Sequence, residues 1–406
     1  MRLPSIPSSP KLNISLPFGR RGGVDVVGLD IQPGLVAAVQ ARVNGAILAE
    51  RAAIMPLAAD TMRDGEVTDE DTLANVLKEL FASSGLGRRV RVGIANQRTV
   101  LRTLELPPVT DQKELAAAVA FQAQDQVPMP LGNAVMDFHA LGVVDTPAGP
   151  RQRVVLVAAQ RDMVERLLTA VRRAGLTPEG VDLSAFALIR SLYRPQGEDG
   201  QPRVLYLNVD GLTNLAIAEG KVCRFTRVVG GGLEAMAVEV AERRGIALAE
   251  ARDLVAQVDM TAQTPEPRPA VVAPPPGSVD LTAEAQAQGD GSDEALEEYA
   301  SVAGEPQEDV GSDVWSVVEN GIRDLSGEVR NSLDFHRSQE GGGEVSHVVL
   351  SGAAEDIPGF AQALELSLGV SVRGQSVGVA DGRLTERVST HRLAVATGLA
   401  AAEAPQ

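Results

Sequence analysis

The stretch RVLYLNVDGLTNLAIAEGKVCRFTRVVGGGLEAMAVEVAERRG, residues 203–245, predicts three strands followed by a helix. A nearly continuous apolar run at 204–209 is typical of a strand buried on both faces. Turn residues at 210–211 and 219–220 separate it from two further apolar segments, so we expect an antiparallel meander. The helix that follows has apolar residues at helical spacing and ends at Gly245.

Three glycines, Gly230, Gly231 and Gly232, lie between the last strand and this helix. Glycines at this place allow a phosphate to approach the N–H groups at the positive end of the helix dipole. A flexible connection produces the same pattern more often. The glycines alone therefore leave both interpretations open.

Residues 24–53, VDVVGLDIQPGLVAAVQARVNGAILAERAA, repeat the layout of strand, turn, strand, turn and strand. When residues 29–32 are aligned with 207–210, the later turns at 44–45 and 219–220 also coincide. The chain therefore has two related halves. Elsewhere, the pattern predicts a helix that Thr110 caps, a long helix at 314–336 and a strand at 344–350. Such alternation of strands and helices indicates an α/β protein.

The net charge of −17 is unevenly distributed. Between residues 259 and 313 there are thirteen acidic residues and one basic residue, with few large apolar side chains. Such a segment cannot bury enough surface to offset the entropy of ordering it, so we predict a disordered acidic insertion at 260–312. A tether for a basic partner is the second interpretation. The acidity argues against nucleic acid as a partner.

The N-terminal residues 1–23 form a basic, proline-interrupted tail that we predict to be disordered. The tail has no apolar core of a secretion signal, and no run in the chain reaches the roughly 18 apolar residues of a membrane span. We therefore expect a cytoplasmic protein without a span. Four apolar residues in the tail alternate at strand period, which would let it add to a sheet edge or lie in a groove. They are Leu12, Ile14, Leu16 and Phe18.

The single cysteine, Cys223, excludes an internal disulfide and lies in a predicted strand, where a packed thiol is the expected role. The four histidines show no metal-ligand spacing with each other or with Cys223. We predict no metal site built from these residues.

Seven motifs, taken in their order and spacing, resemble the PilM family of actin-like proteins of type IV pilus assembly, which are akin to the division protein FtsA. The similarity runs from about residue 24 to 402, outside the acidic insertion. The motifs are LDIQP (29–33), ELPPVTDQKELAAAVAFQAQDQVPMP (105–130), VVLVAAQRDMVERLLTAVRRAGLTPEGVDL (154–183), RVVGGGLEAMAVEVA (227–241), EVRNSLDFH (328–336), HVVLSGAAEDIPGFAQAL (347–364) and AVATGLA (394–400).

The resemblance implies an α/β fold of the actin/hexokinase (ribonuclease H-like) type, duplicated, with an FtsA-like domain inserted in the first half. It also implies binding of the cytoplasmic N-terminal segment of a PilN-like inner-membrane protein in a groove near the insertion, which would recruit the chain to the membrane's inner face. The implied divisions are a first half (24–97, 166–200 and 386–406), the insertion (98–165), the second-half core (201–232 and 344–385) and an outer subdomain (233–343).

The first phosphate-binding turn of the family usually reads Asp-Ile-Gly-Ser, whereas this chain has Asp30-Ile31-Gln32-Pro33. Pro33 has no N–H to donate to a phosphate, and Gln32 places a side chain where the backbone should approach closely. This turn is therefore predicted to be poorly suited to nucleotide.

The second turn usually reads Asp-Ile-Gly with a later Thr, and here it reads Asn208-Val209-Asp210 with Thr213 retained. A neutral Asn208 removes a hard anionic ligand for Mg²⁺. Asp210 adds a negative charge near the phosphates, and a like-charge contact at ~4 Å costs roughly 4 kcal/mol at an effective dielectric of ~20. Asp30 and Asp210 would be metal ligands only if Mg²⁺-ATP binds.

The adenine-side turn of relatives, Leu-Ser-Gly-Gly, reads Leu350-Ser351-Gly352-Ala353, and a lysine expected after Glu-Ala is missing from EARDLV (250–255). We therefore expect a scaffold for pilus assembly with a degraded nucleotide site and no catalytic residues. One alternative is a working ATPase in which Asp30 or Asp210 coordinates Mg²⁺. A second alternative is a membrane-associated filament protein like FtsA.

Overall fold

The computed structural model describes residues 26–147, 149–195, 201–261, 312–339, 341–385 and 388–401. The predicted tail at 1–23 lies outside the described residues, as does nearly all of the predicted insertion at 260–312.

Nine α-helices and sixteen strands occur in the described part of the chain. The helices are α1 (Glu70–Ser84), α2 (Gln112–Gln126), α3 (Arg161–Arg173), α4 (Ser184–Leu192), α5 (Leu233–Arg244), α6 (Leu248–Ala256), α7 (Ser312–Ser338), α8 (Phe360–Leu368) and α9 (Ala394–Ala400). The strands are β1 (Val27–Gln32), β2 (Leu35–Asn44), β3 (Ala46–Pro56), β4 (Met62–Arg63), β5 (Glu66–Val67), β6 (Arg89–Ile94), β7 (Val100–Leu106), β8 (Ala134–Thr146), β9 (Gly149–Gln160), β10 (Thr177–Leu183), β11 (Arg203–Val209), β12 (Thr213–Glu219), β13 (Val222–Val229), β14 (His347–Ser351), β15 (Val372–Gly374) and β16 (Gly378–Val379).

Two mixed sheets form the centre of the molecule. The first has the order β10-β6-β1-β2-β3-β16, and the second has the order β13-β12-β11-β14-β15. In both, an antiparallel meander is extended by parallel strands: β1-β2-β3 with β6 in the first sheet, and β11-β12-β13 with β14 in the second. The internal repeat predicted from the sequence is therefore present as two sheets with the same central connectivity.

Helices pack on the two sheets through their apolar faces. Helices α1 and α3 pack against each other and against the first sheet. The second sheet shares a separate apolar core with α5, α6, α7 and α8. This core contains Leu205, Leu207 and Ile217, all completely buried, because strands of the sheet's interior carry apolar residues on both faces.

Helices α4 and α9 form the layer between the sheets. Every residue of α4 is buried, and α4 contacts α9 on one side and β12 of the second sheet on another. Backbones approach closely here, because a Cβ added to Gly398 would lie 1.9 Å from the Ala187 carbonyl oxygen and one added to Gly28 would lie 1.9 Å from that of Ala396. Only glycine permits such contacts.

Two buried arginines satisfy the C-terminal carbonyls of α9. Arg190 donates to the Gly398 carbonyl at 2.7 Å and pairs with Asp182 at 2.9 Å, and Arg91 donates to the Leu399 carbonyl at 2.8 Å. The last carbonyls of a helix have no partner within it, and basic side chains at this end also oppose the helix dipole favourably. The arginines therefore fix α9 against the first sheet.

Residues 100–160 form a third, three-stranded sheet with the order β7-β9-β8, covered on one face by α2. Helix α2 begins after Asp111, whose side chain accepts from the backbone N–H groups of Lys113 and Glu114. The prediction that Thr110 caps this helix was wrong by one residue, because the Asp carboxylate reaches two free N–H groups. The long helix is Ser312–Ser338 rather than 314–336, and the strand predicted at 344–350 is His347–Ser351.

We expect Gly398→Ala to lower the free energy of unfolding by about 2 kcal/mol or more, because the new methyl group would overlap the Ala187 carbonyl. The matched control is Gly327→Ala in α7, where an added Cβ meets no atom within 4 Å. The control should gain about 0.5–1 kcal/mol through helix propensity. Urea unfolding measures both changes. A Gly398→Ala chain as stable as the wild type would contradict the close packing of α4 and α9.

Candidate functional site

The first of the two predicted phosphate turns joins β1 to β2. Asp30 and Gln32 lie on β1 and are buried, and the Gln32 side-chain amide donates to the Asp30 carboxylate at 2.7 Å. Pro33 and Gly34 form the turn itself, with Gly34 at φ +83°. The Gln32 side-chain amide is therefore already hydrogen-bonded to Asp30 within the chain.

The second turn joins β11 to β12, and its polar side chains bond to each other and to the end of β14. The Asp210 carboxylate accepts from the Ala353 backbone N–H at 2.8 Å and from the Asn208 amide at 3.2 Å. The Asn208 oxygen in turn accepts from the Ser351 hydroxyl at 3.0 Å. Thr213 is fully buried, and its hydroxyl has no hydrogen-bond partner among the described residues.

The two turns are in backbone contact across the molecule. A Cβ built on Gly211 would lie 2.1 Å from the Pro33 carbonyl oxygen. The second half also approaches the first through Arg252 on α6, which pairs with Glu234 on α5 and donates to the Leu57 carbonyl at 3.3 Å. The two turns predicted to flank a nucleotide are thus brought into contact.

Of the three glycines, Gly232 lies against Asp210, as does the adenine-side turn through the Ala353 N–H. The Asp210 carbonyl accepts from the Leu233 N–H at the start of α5 at 2.9 Å, and a Cβ on Gly232 would lie 2.5 Å from that oxygen. Gly352 has φ +92° and packs on the Val209 carbonyl. Gly230 is exposed, and a Cβ on Gly231 would meet no atom within 4 Å.

Comparison with known proteins identifies the family. A family model described as type IV pilus assembly protein PilM matches residues 28–257, more than half of the 406-residue chain. The chain belongs to the PilM family.

One solved structure confirms the predicted fold class. A PilM–PilN type IV pilus biogenesis complex superposes with a TM-score of 0.69 and 22% identity, over 93% of this chain and 98% of that one. The chain thus has the predicted duplicated, actin-like α/β fold, and residues 100–160 form a separate sheet inserted in its first half. Ethanolamine utilization protein EutJ from Carboxydothermus hydrogenoformans superposes with a TM-score of 0.47 and 14% sequence identity, over 92% of this chain and 88% of that one. ADP-bound MreB5 of Spiroplasma citri superposes with a TM-score of 0.44 and 11% sequence identity, over 92% of this chain and 94% of that one.

The sequence pattern gives no role to Arg252, which follows Glu250-Ala251 directly, where the family resemblance predicts a lysine. Its guanidinium forms a two-pronged pair with Glu234 and reaches Leu57 in the other half. The signal in the sequence is that Glu234 and Arg252, which have opposite charges, lie on consecutive predicted helices and are able to form a two-pronged ion pair.

The inserted sheet packs against the first half through its second face. Val155 and Val157 of β9 are buried in the same core as α1 and α3, and Leu141 of β8 packs on that core while partly exposed. Burial lowers the pKa of His139, which lies on the same face of β8. This half-buried face is the part of the insertion that borders the first half.

The described residues contain no group of three or more His, Cys, Asp or Glu side chains placed to hold a metal ion. Cys223 is buried, and burial raises the pKa of its thiol to about 12, so it is a packed thiol as predicted. None of the described helices has the length and apolar character needed to cross a membrane.

Burial shifts both acidic groups of the turns. Desolvation raises the pKa of Asp30 to about 7, and the charge of Asp210 adds to this effect while the Gln32 hydrogen bond opposes it. Desolvation also raises the pKa of Asp210 to about 6, opposed by the charge of Arg392 and by the bonds from Ala353 and Asn208. Each carboxyl group is thus expensive to ionise in the folded chain.

We expect Asp30→Asn to stabilise the protein increasingly as the pH rises from about 4 to about 7. In this window the unfolded chain has lost the Asp30 proton while the folded chain retains it, so wild-type stability falls as pH rises. The Asn side chain keeps an acceptor for the Gln32 amide and has no proton to lose. The variant therefore avoids the fall in folding stability, which amounts to about 4 kcal/mol at most.

Urea unfolding at several pH values measures the difference between Asp30→Asn and the wild type. Asp324→Asn on the exposed side of α7 is the control for loss of one carboxylate. A difference that stays constant across the window would contradict the raised pKa of Asp30.

Proposed function

We propose that this PilM-family chain is a scaffold of type IV pilus assembly that works without nucleotide turnover. We further propose that it binds the cytoplasmic N-terminal segment of a PilN-like inner-membrane protein near residues 98–165. Family membership and the likeness to a PilM–PilN complex support the partner. Such a chain would act in the cytoplasm, at the inner face of the membrane, and the domain boundaries predicted from the sequence are proposed with it.

The observation that carries the proposal is the Asp210 carboxylate bonded to the Ala353 N–H at 2.8 Å. Ala353 belongs to the predicted adenine-side turn, but its N–H points at the second phosphate turn, where a phosphate would need such a donor. Here it is already satisfied by an internal anion, and the Asp210 carbonyl occupies the N–H of Leu233. An incoming phosphate would therefore face a carboxylate in place of free donors.

The first turn supports the same interpretation. Pro33 has no N–H, and its carbonyl lies against Gly211 where the two halves meet. The Gln32 side chain fills the place beside Asp30 that glycine leaves free in relatives. The residues present do not fit a bound triphosphate.

The metal ligands are also unfavourable for Mg²⁺, which prefers charged oxygen ligands in near-octahedral geometry. Asp30 is buried with a raised pKa and is engaged by Gln32, whereas Asn208 is neutral and bonded on both sides. ATP and Mg²⁺ are thus not proposed as cofactors of the wild-type chain.

Restoring the family residues should restore nucleotide binding. We expect the wild-type chain to show no calorimetric binding of Mg²⁺-ATP at a dissociation constant of about 100 µM or tighter. A chain with Gln32→Gly, Pro33→Ser, Asn208→Asp and Asp210→Gly should bind it, because the internal anion and the blocked turn are removed together. Circular dichroism verifies that this variant folds.

Two results would contradict the proposal of a nucleotide-independent cleft. One is binding by the wild type together with ATP hydrolysis that Asp30→Ala abolishes, which would favour the ATPase. The other is a chain with all four substitutions that folds but still binds no nucleotide, since the lack of binding would then have a cause outside these two turns.

The partner proposal predicts saturable binding of a synthetic peptide with the N-terminal sequence of the PilN-like protein, and none of a scrambled peptide. A photoreactive group on the peptide, mapped by mass spectrometry, should label residues within 98–165 or the first-half surface beside them. Labelling of α8 in the second half would contradict this location. A filament-forming, FtsA-like role would instead give sedimenting polymers of the chain alone.

A further inference from the structure

A polar groove lies where the inserted sheet, the first half and the second half meet. Its volume is about 410 Å³. The segment between β6 and β7 forms one wall, β13 forms the other, and α7 contributes one carboxylate. The principal lining residues are Asn96, Gln97, Thr99, Thr226, Arg227 and Glu328. We call it the junction groove.

Unsatisfied polar atoms face this region. Asn214 is 4% exposed, and its side-chain oxygen has no hydrogen-bond partner among the described residues. It lines a small cavity that shares Asn96, Thr99 and Thr226 with the junction groove. The buried hydroxyl of Thr99 is also without a partner there. Buried polar atoms are nearly always bonded to protein, water or ligand, so a ligand with hydrogen-bonding groups would find partners here.

The wall formed by β13 is the edge of the second sheet. An edge strand presents backbone N–H and C=O groups on its outer side, and an extended peptide can pair with them. Thr226, Arg227 and Val228 of this edge strand line the groove.

An unpaired acidic residue lies at the end of the groove. Asp64 has φ 51°, and it is the sole non-glycine residue with positive φ in the described ranges. Asn96 donates to its carbonyl at 2.6 Å, and its carboxylate lies 3.9 Å from a Cβ position on Gly230. The Asp64 carboxylate has no hydrogen bond or ion pair within the described residues. This φ is the normal one for the Asp-Gly turn of a two-residue hairpin, here Asp64-Gly65 between β4 and β5.

We propose that the junction groove binds the chain's own residues 12–18, LNISLPF, as an added strand beside β13. The apolar residues of this segment alternate at strand period, and Arg20 and Arg21 follow it. The arginines are the charge complement of Asp64. Pro17 fits an added edge strand when its missing N–H faces outward.

The length of the tail allows this placement. Val27 pairs with Val90, and Asn96 lies six residues beyond Val90, so the groove begins about 20 Å from the start of β1. Residues 19–25 span about 24 Å when extended. The strand then runs parallel to β13, with Phe18 at the Gly230 end and the arginines beside Asp64.

Hydrogen exchange of residues 222–230 in the full chain tests the proposal. Leu12→Asp with Ile14→Asp should increase exchange there by about tenfold, because one face of the added strand is disrupted. Asn13→Asp with Ser15→Asp introduces the same charge on the opposite face and should leave exchange unchanged. Asp64→Asn should increase exchange to a smaller extent. A peptide of residues 10–21 should restore protection to a chain lacking residues 1–23.

Three outcomes would overturn the proposal. Exchange that is unchanged in the Leu12/Ile14 variant would mean that the tail does not cover β13. An equal increase of hydrogen exchange in the Leu12/Ile14 and the Asn13/Ser15 double variants would show that the segment does not pack through its apolar face. Protection that grows with protein concentration, together with a dimer in size-exclusion chromatography, would assign the groove to the tail of a second copy.

Discussion

The structure depends on the backbone contact that α4 and α9 make between the two sheets. Gly28 and Gly398 bring strand and helix backbones so close that a single methyl group would overlap a carbonyl oxygen. Arg91 and Arg190 then hold the C-terminal carbonyls of α9, with Asp182 neutralising Arg190. Burying such a pair costs desolvation, which these additional bonds help to offset.

This central layer positions the turns that end β1 and β11. Because both sheets are fixed to α4 and α9, the Pro33 carbonyl and Gly211 meet between the two halves. The Arg252 bridge to Glu234 and Leu57 links the halves at a second place. In our account the internal carboxylate of Asp210 takes the role of the anion at the cleft, so the halves stay together without a nucleotide.

Much of the fold could be predicted from sequence because its signals are local. The apolar strands, the glycine turns and the repeat at 24–53 give both meanders directly, and the family motifs supply the long-range order. Thr110 and Asp111 are both good capping residue types, and only the geometry shows which side chain reaches the N–H groups. The ends of the long helix also differ from the predicted ones by two residues, since periodicity does not fix helix ends.

The site was harder to predict because its contacts join distant residues. Asp210 was recognised as a misplaced charge, but its bond to Ala353 spans 143 positions and depends on the pairing of β11 with β14. Pairing of Arg252 with Glu234 and the unsatisfied oxygen of Asn214 also depend on how helices and sheets are placed. Sequence periodicity contains no information on these distances.

The most direct test of the account is the affinity of the chain for the N-terminal PilN-like peptide, measured with and without millimolar Mg²⁺-ATP. If the chain's own groups close the cleft, nucleotide does not bind and cannot shift the protein between conformations. The peptide affinities with and without Mg²⁺-ATP should then agree within about twofold. A change of about tenfold or more would show coupling of about 1.4 kcal/mol between the cleft and the partner site, and it would contradict a nucleotide-independent scaffold.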